Sequence, residues 1–90
     1  MKPKHMERDI HFRTSQFPLA AFLYTKNHQV AGINFTDEPG RKEFAFVVTP
    51  ELEQLVEKFK YGSRSDPDLL VEVHAYEQAR RDLLDRLNDR

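Results

Sequence analysis

Four histidines are among the residues of this chain whose type could support metal binding or acid–base chemistry. His5, Asp9 and His11 lie close together in the sequence, and Asp9 and His11 would share one face of a short strand. His28 and His74 lie far from this group and from each other. A solvent-facing strand edge explains the same residues without a ligand. We therefore predict no metal site.

Covalent catalysis has few candidate residues. The chain has no cysteine, and of its serines Ser15 has the position of a helix cap, while Ser63 and Ser65 lie in a polar loop. No Gly-x-Ser-x-Gly motif is present. The three glycines are isolated, whereas a phosphate-binding loop needs a glycine-rich turn between a strand and a helix. These observations predict no catalytic residues, no cofactor and no enzymatic activity.

Basic residues cluster within residues 2–13 and again near residue 60. In the second cluster an aromatic side chain stands among the cations, a combination that can hold a nucleic-acid strand. The candidate nucleic-acid contacts are therefore Lys58, Lys60, Tyr61 and Arg64. A solvated helix end, where basic residues complement the helix dipole, explains the same cluster.

Composition narrows the class of protein. Of the 90 residues, 39% are hydrophobic and 32% are charged, and the ten Phe and Tyr side chains supply material for one packed core. The net charge of −1 offers no general attraction to nucleic acid or to an anionic membrane. No apolar run approaches the ~20 residues needed to span a bilayer, and the basic N-terminus lacks the apolar core of a signal peptide. We expect a cytoplasmic protein.

Alternation of apolar and polar residues predicts three strands, over residues 9–14, 30–36 and 41–49. In the second strand we place three apolar side chains on one face: Ala31, Ile33 and Phe35. The third strand is apolar on both faces, which favours the centre of a sheet. Its two faces carry Phe44, Phe46 and Val48 on one side, and Ala45 and Val47 on the other.

Capping residues and apolar periodicity predict three helices: one over residues 19–26, one that starts at Pro50 and stops before a polar loop over residues 61–65, and one over about 67–87. Thr14 and Ser15 are suited to cap the first helix, and Asn27 can close it in the left-handed conformation. The first helix is apolar nearly all round, so we expect it to be covered on more than one side. Thr49 and Pro50 predict the start of the second, and Gly62 its end.

These elements predict an α+β fold of order β-α-β-β-α-α. The second and third strands form an antiparallel hairpin, and a central third strand gives the sheet order 1-3-2. The first and second strands are then parallel and are joined through the first helix, which is a split β-α-β unit. We expect residues 1–8 to be a flexible leader and residues 9–90 to form one domain.

Three segments carry a resemblance to known proteins: Thr14–Ser15 with the helix 19–23, the strand 44–47 and the helix end 59–62. They resemble a family of short uncharacterised prokaryotic and phage proteins, a domain of unknown function. The resemblance covers most of residues 9–85. It implies no activity, cofactor or site residue.

The last predicted helix carries an apolar stripe: Leu69, Val73, Tyr76, Leu83 and Leu87. A helix of about 20 residues is ~30 Å long, which exceeds the width of a sheet of three short strands. Its end would then overhang and present an interface of three leucines: Leu83, Leu84 and Leu87. The alternative is that the stripe packs back on the first helix.

We therefore predict a small non-catalytic interaction module that self-associates as a homodimer or homo-oligomer, or that binds a partner protein. The alternative is a small nucleic-acid-binding accessory protein of a bacterial or phage genome.

Overall fold

The computed structural model describes residues 11–36, 38 and 41–88. The expected leader, residues 1–8, lies outside these. Strands and helices follow in the predicted order β-α-β-β-α-α. Their bounds are β1 (His11–Thr14), α1 (Phe17–Thr25), β2 (Val30–Phe35), β3 (Lys42–Val47), α2 (Pro50–Tyr61) and α3 (Val73–Asn88).

The sheet has the predicted order β1-β3-β2. β3 pairs antiparallel with both neighbours, so β1 and β2 run parallel to each other and α1 connects them. β3 lies at the centre because it is the strand with apolar residues on both faces, and a central position shields both. The α+β class and the strand order are confirmed.

The core lies on one face of this sheet. The register sets Phe12 and Val30 opposite Phe46, and Ile33 opposite Phe44, so these side chains share that face. All three helices contribute to the same buried cluster, so they pack on this one side. Its members are Leu19, Ala20, Ala21, Phe22, Leu23, Phe44, Phe46, Leu52 and Leu83.

Because of a β-bulge in β2, the prediction that Ala31 shares a face with Ile33 is wrong. Val30 pairs with Phe46, but the next position on β3, Ala45, pairs with Gly32. Ala31 is therefore an extra residue between two pairs, and it is exposed instead of sharing the buried face of Ile33. Strict alternation could not reveal this because the bulge shifts the phase by one residue.

The start of α1 also differs from expectation. α1 begins at Phe17, and Gln16 holds the N-cap position without a side-chain cap. Thr14 instead accepts a hydrogen bond on its Oγ1 from the Gln16 N–H at 3.0 Å, which tightens the turn between β1 and α1. At the other end Asn27 has φ 74°, which confirms the predicted left-handed closure.

α2 has the predicted ends. The Leu52 N–H donates to Thr49 Oγ1 at 3.0 Å, Pro50 occupies the first turn, and Gly62 follows the last residue. Leu52 is fully buried and holds α2 against the core.

The single helix predicted over 67–87 is wrong in its first third. Pro67–Leu69 forms one 3-10 turn, and Asp66 caps it by accepting from the Asp68 N–H at 2.9 Å. The backbone is extended at Leu70, and α3 begins at Val73. α3 therefore has 16 residues and is about 24 Å long, shorter than expected.

Glu72 explains why a new helix begins there. Its carboxylate accepts from the His74 N–H at 3.1 Å and from the Ala75 N–H at 2.9 Å, two of the donors that a helix start leaves unpaired. The hydrogen bond from the His74 N–H, followed by that from Ala75, lowers the pKa of Glu72 below its ordinary value of 4.5.

We expect acid to remove this cap. A carboxyl group whose pKa is lowered by folding stabilises the protein at pH values above its ordinary pKa. This stabilisation is lost as the pH falls through the lowered pKa. The difference in Tm between the wild type and Glu72→Gln should be largest near about pH 7 and should shrink towards about pH 3. Thermal melts followed by circular dichroism measure it, with Glu57→Gln on the exposed face of α2 as the matched control. A Tm difference that does not change with pH would contradict this role of Glu72.

Candidate interaction surface

The histidines do not form a site in the described part of the chain. His11 lies on β1, His28 follows α1, and His74 lies in the first turn of α3 with its Nδ1 3.1 Å from Glu72 Oε2. His5 and Asp9 lie outside the described residues. Within residues 11–36, 38 and 41–88, no three His, Asp or Glu side chains group as a metal ion would require. Nor does any helix there have both the length and the apolar character to cross a membrane.

A surface groove of about 500 Å³ lies between the end of α1 and the start of α2. Its lining mixes both charge signs: Lys26, His28, Thr49, Glu51, Gln54, Leu55 and Asp68. Two of its polar side chains stabilise the fold. The Lys26 ammonium donates to the Leu70 carbonyl at 3.1 Å, and Thr49 caps α2. The groove therefore resembles a junction between helices more than a built catalytic site.

Lys58, one of the candidate nucleic-acid contacts, is engaged in an intramolecular ion pair. Its Nζ lies 2.5 Å from Asp68 Oδ2 and 3.5 Å from Asp66 Oδ2. The hydrogen bond with Asp68 raises the pKa of Lys58, and the same bond lowers the pKa of Asp68. Since these carboxylates already balance its charge, Lys58 offers little to a phosphate, although the pair is too exposed to add much stability.

The other three candidate contacts remain exposed. Tyr61 is 78% exposed at the end of α2, and Arg64 lies in the loop beyond it. Lys60 and Tyr61 line a shallow depression together with Glu53 and Glu57. Carboxylates therefore alternate with cations on this side of α2, and no uninterrupted basic track runs along the described residues here.

The three candidate interface leucines of α3 differ in exposure. Leu83 is fully buried in the core, Leu87 is half-buried, and Leu84 is 41% exposed. The expected overhang is wrong for Leu83, because α3 is shorter than predicted and packs back on α1. Leu84 alone of the three has the exposure that an interface position needs.

Two arginines of α3 strengthen its packing on α1, and the apolar stripe of the predicted last helix did not indicate this. Arg80 interrupts the apolar stripe, and its guanidinium lies 5.4 Å from the centre of the Phe17 ring. Arg86 lies 5.7 Å from the centre of the Tyr24 ring. Both rings belong to α1, so cation–π contacts join α3 to both ends of α1. Phe17 and Tyr24 lie seven residues apart and so share one face of α1, which is the signal that could have suggested it.

The face of the sheet that points away from the core is partly exposed. Pairing sets Arg13 opposite Ala45, and Ala45 opposite Gly32, on the face away from the core. Val47 lies on this face and is 47% exposed. A carbon added to Gly32 in the direction of a side chain would meet no atom within 4 Å. No helix of the described chain covers this face.

Comparison of the chain with protein-family models, with curated proteins and with solved structures gives no match. The resemblance to short prokaryotic and phage proteins therefore stays a prediction.

Proposed function

We propose that this chain is a small non-catalytic interaction module that self-associates. The observation that carries the proposal is the one-sided sheet: all three helices pack on one face, while the other face leaves Val47 47% exposed. Among the described residues no helix covers this face, so Val47 is an apolar side chain that contact with a second copy would shield from water. A location in the cytoplasm stays a prediction.

The polar side chains described above have structural roles, and this supports a binding function over a catalytic one. Thr49, Asp66 and Glu72 hold backbone N–H groups at helix starts, and Lys58 holds two carboxylates. Groups used in this way position the fold and have little capacity to carry out a reaction. The geometry thus favours recognition by surface shape over chemistry at a centre.

Nucleic-acid binding is the second candidate, and the exposed Tyr61 ring favours it. A base could stack on this ring while Lys60 and Arg64 contact the backbone. Glu53 and Glu57 beside Lys60, and the ion pair of Lys58, act against it.

A concentration series distinguishes the two functions. We expect light scattering to give a mass that rises from that of one chain to that of two between micromolar and millimolar protein. We expect labelled single- and double-stranded DNA at low salt to show no binding to the same samples. A single-chain mass at every concentration would overturn self-association. DNA binding that weakens steeply with salt and is lost in Lys60→Glu, but not in Lys58→Gln, would establish the second candidate instead.

A further inference from the structure

The β2 strand forms an edge of the sheet, and no described residue pairs with its outer side. Its six residues, Val-Ala-Gly-Ile-Asn-Phe, include no charged residue and no proline. Proteins usually protect an edge strand with charges or proline, because its unpaired N–H and C=O groups attract another strand. β2 has a single protecting feature, the bulge at Ala31.

The hydrogen-bond pattern shows which main-chain groups face outward. Just beyond β2, the Thr36 N–H donates to the Arg41 carbonyl at 3.1 Å, so Thr36 directs its main-chain groups inward, towards the β3 side of the hairpin. Direction alternates along an antiparallel strand, which makes Asn34 the next inward position. Ile33 and Phe35 therefore direct their N–H and C=O groups to the free edge.

These outward groups allow one regular pairing with a second copy of β2. In an antiparallel arrangement about a two-fold axis, Ile33 of each copy pairs with Phe35 of the other and forms four hydrogen bonds. Asn34 then faces Asn34 of the second copy on the axis. A register centred on Ile33 would require regular pairing by Ala31, which the bulge disturbs.

Charge favours a second copy as the occupant, and β2 as its surface. Because β2 has no charged residue, a two-fold pairing brings no like charges together. β1, at the other edge of the sheet, differs from β2 in carrying the charged residue Arg13.

We propose that two copies of the chain join through β2, with Asn34 on the two-fold axis, so that two three-stranded sheets become one continuous sheet. This inference rests on the proposed self-association and assigns the contact to the β2 edge, so that the open face with Val47 continues across both copies. A two-fold pairing of this kind closes on itself and gives a dimer, since each copy uses its β2 edge once.

A single introduced cysteine tests the register, because the natural chain has none. Residues that face each other without hydrogen bonds in an antiparallel pair have Cα atoms about 4.5 Å apart, which a disulfide can bridge. We expect mild oxidation to convert Asn34→Cys into a covalent dimer, and to leave Gln54→Cys, at an exposed site on α2, largely uncrosslinked. Circular dichroism checks that both variants are folded.

Charge variants test the same contact without a covalent bond. Asn34→Asp and Asn34→Lys should each weaken the dimer about fivefold in dissociation constant, because like charges face each other on the axis. Mixing them should restore dimers, since opposite charges then meet. The pair Gln54→Asp and Gln54→Lys should leave the dissociation constant unchanged.

The outcomes separate the two proposals. A wild-type dimer in which Asn34→Cys crosslinks no faster than Gln54→Cys would overturn the β2 pairing and leave self-association standing. A wild type that stays a single chain at every concentration would overturn both. Fast crosslinking of Asn34→Cys, together with recovery of dimers in the Asp and Lys mixture, supports pairing at this edge.

Discussion

Phe46→Ala is expected to lower the free energy of unfolding by about 3–5 kcal/mol. Phe46 is 0% exposed on the central strand, where the side chains of Phe12 and Val30 flank it across the sheet. Removing the ring leaves a cavity. Because β3 is paired with a strand on each side, it cannot move inward to fill this cavity. Since small domains are stable by only about 5–15 kcal/mol, the loss is a large part of the total.

Val47→Ala is the matched control because Val47 is the next residue on the same strand and lies on the open face. We expect it to change the free energy of unfolding by about 1 kcal/mol or less. Urea unfolding followed by circular dichroism gives both values, and Phe46→Ala should also lower Tm by more than about 12 °C. Equal effects of the two substitutions would contradict the assignment of the core face.

Leu83→Glu is expected to prevent stable folding, and Leu83→Ala to cost about 2–5 kcal/mol. Leu83 is 0% exposed and lies within the core cluster that α1 shares with β3. A carboxylate at this position would have to be buried without a partner or be neutralised, and either costs more than the lost methyl groups.

Leu84→Glu gives the matched comparison because it makes the same chemical change one residue further on. Leu84 is 41% exposed, so we expect a change in unfolding free energy within about 0.5 kcal/mol. Urea unfolding of the three variants measures the contrast. Folded Leu83→Glu with wild-type stability would show that α3 does not pack as described.

This contrast also decides how self-association can be tested. A lost dimer in Leu83→Glu would report unfolding, since that side chain belongs to the core of its own chain. Leu84→Glu and the Asn34 substitutions change the surface and leave the core intact, so their effects on mass can be attributed to contacts between copies.

Features that depend on a few neighbouring residues were determined by the sequence itself. Thr49 followed by Pro50 caps α2, and Asn27 adopts the left-handed conformation, because the relevant atoms are fixed within one or two turns of the chain. The apolar residues on both faces of β3 were enough to place it at the centre, and with that the order of the sheet followed.

Tertiary structure decided what depends on contacts between distant residues. Leu69 and Val71 pack against the core, and this draws the chain away from the continuous helix that its local pattern allowed. Lys58 pairs with Asp68 ten residues later, which separates it from Lys60 and Arg64, the cations that follow it in sequence.

Contacts between distant residues also decide which side chains lie on the surface. Leu83 and Leu84 are neighbours of one type, and the packing of α3 on the core buries the first and leaves the second 41% exposed. The free edge of β2 likewise arises from which strand β3 pairs with on each side, and from a bulge that alternation in the sequence does not show. Local chemistry therefore specified the elements, while packing between them decided which side chains and which main-chain groups can meet a partner.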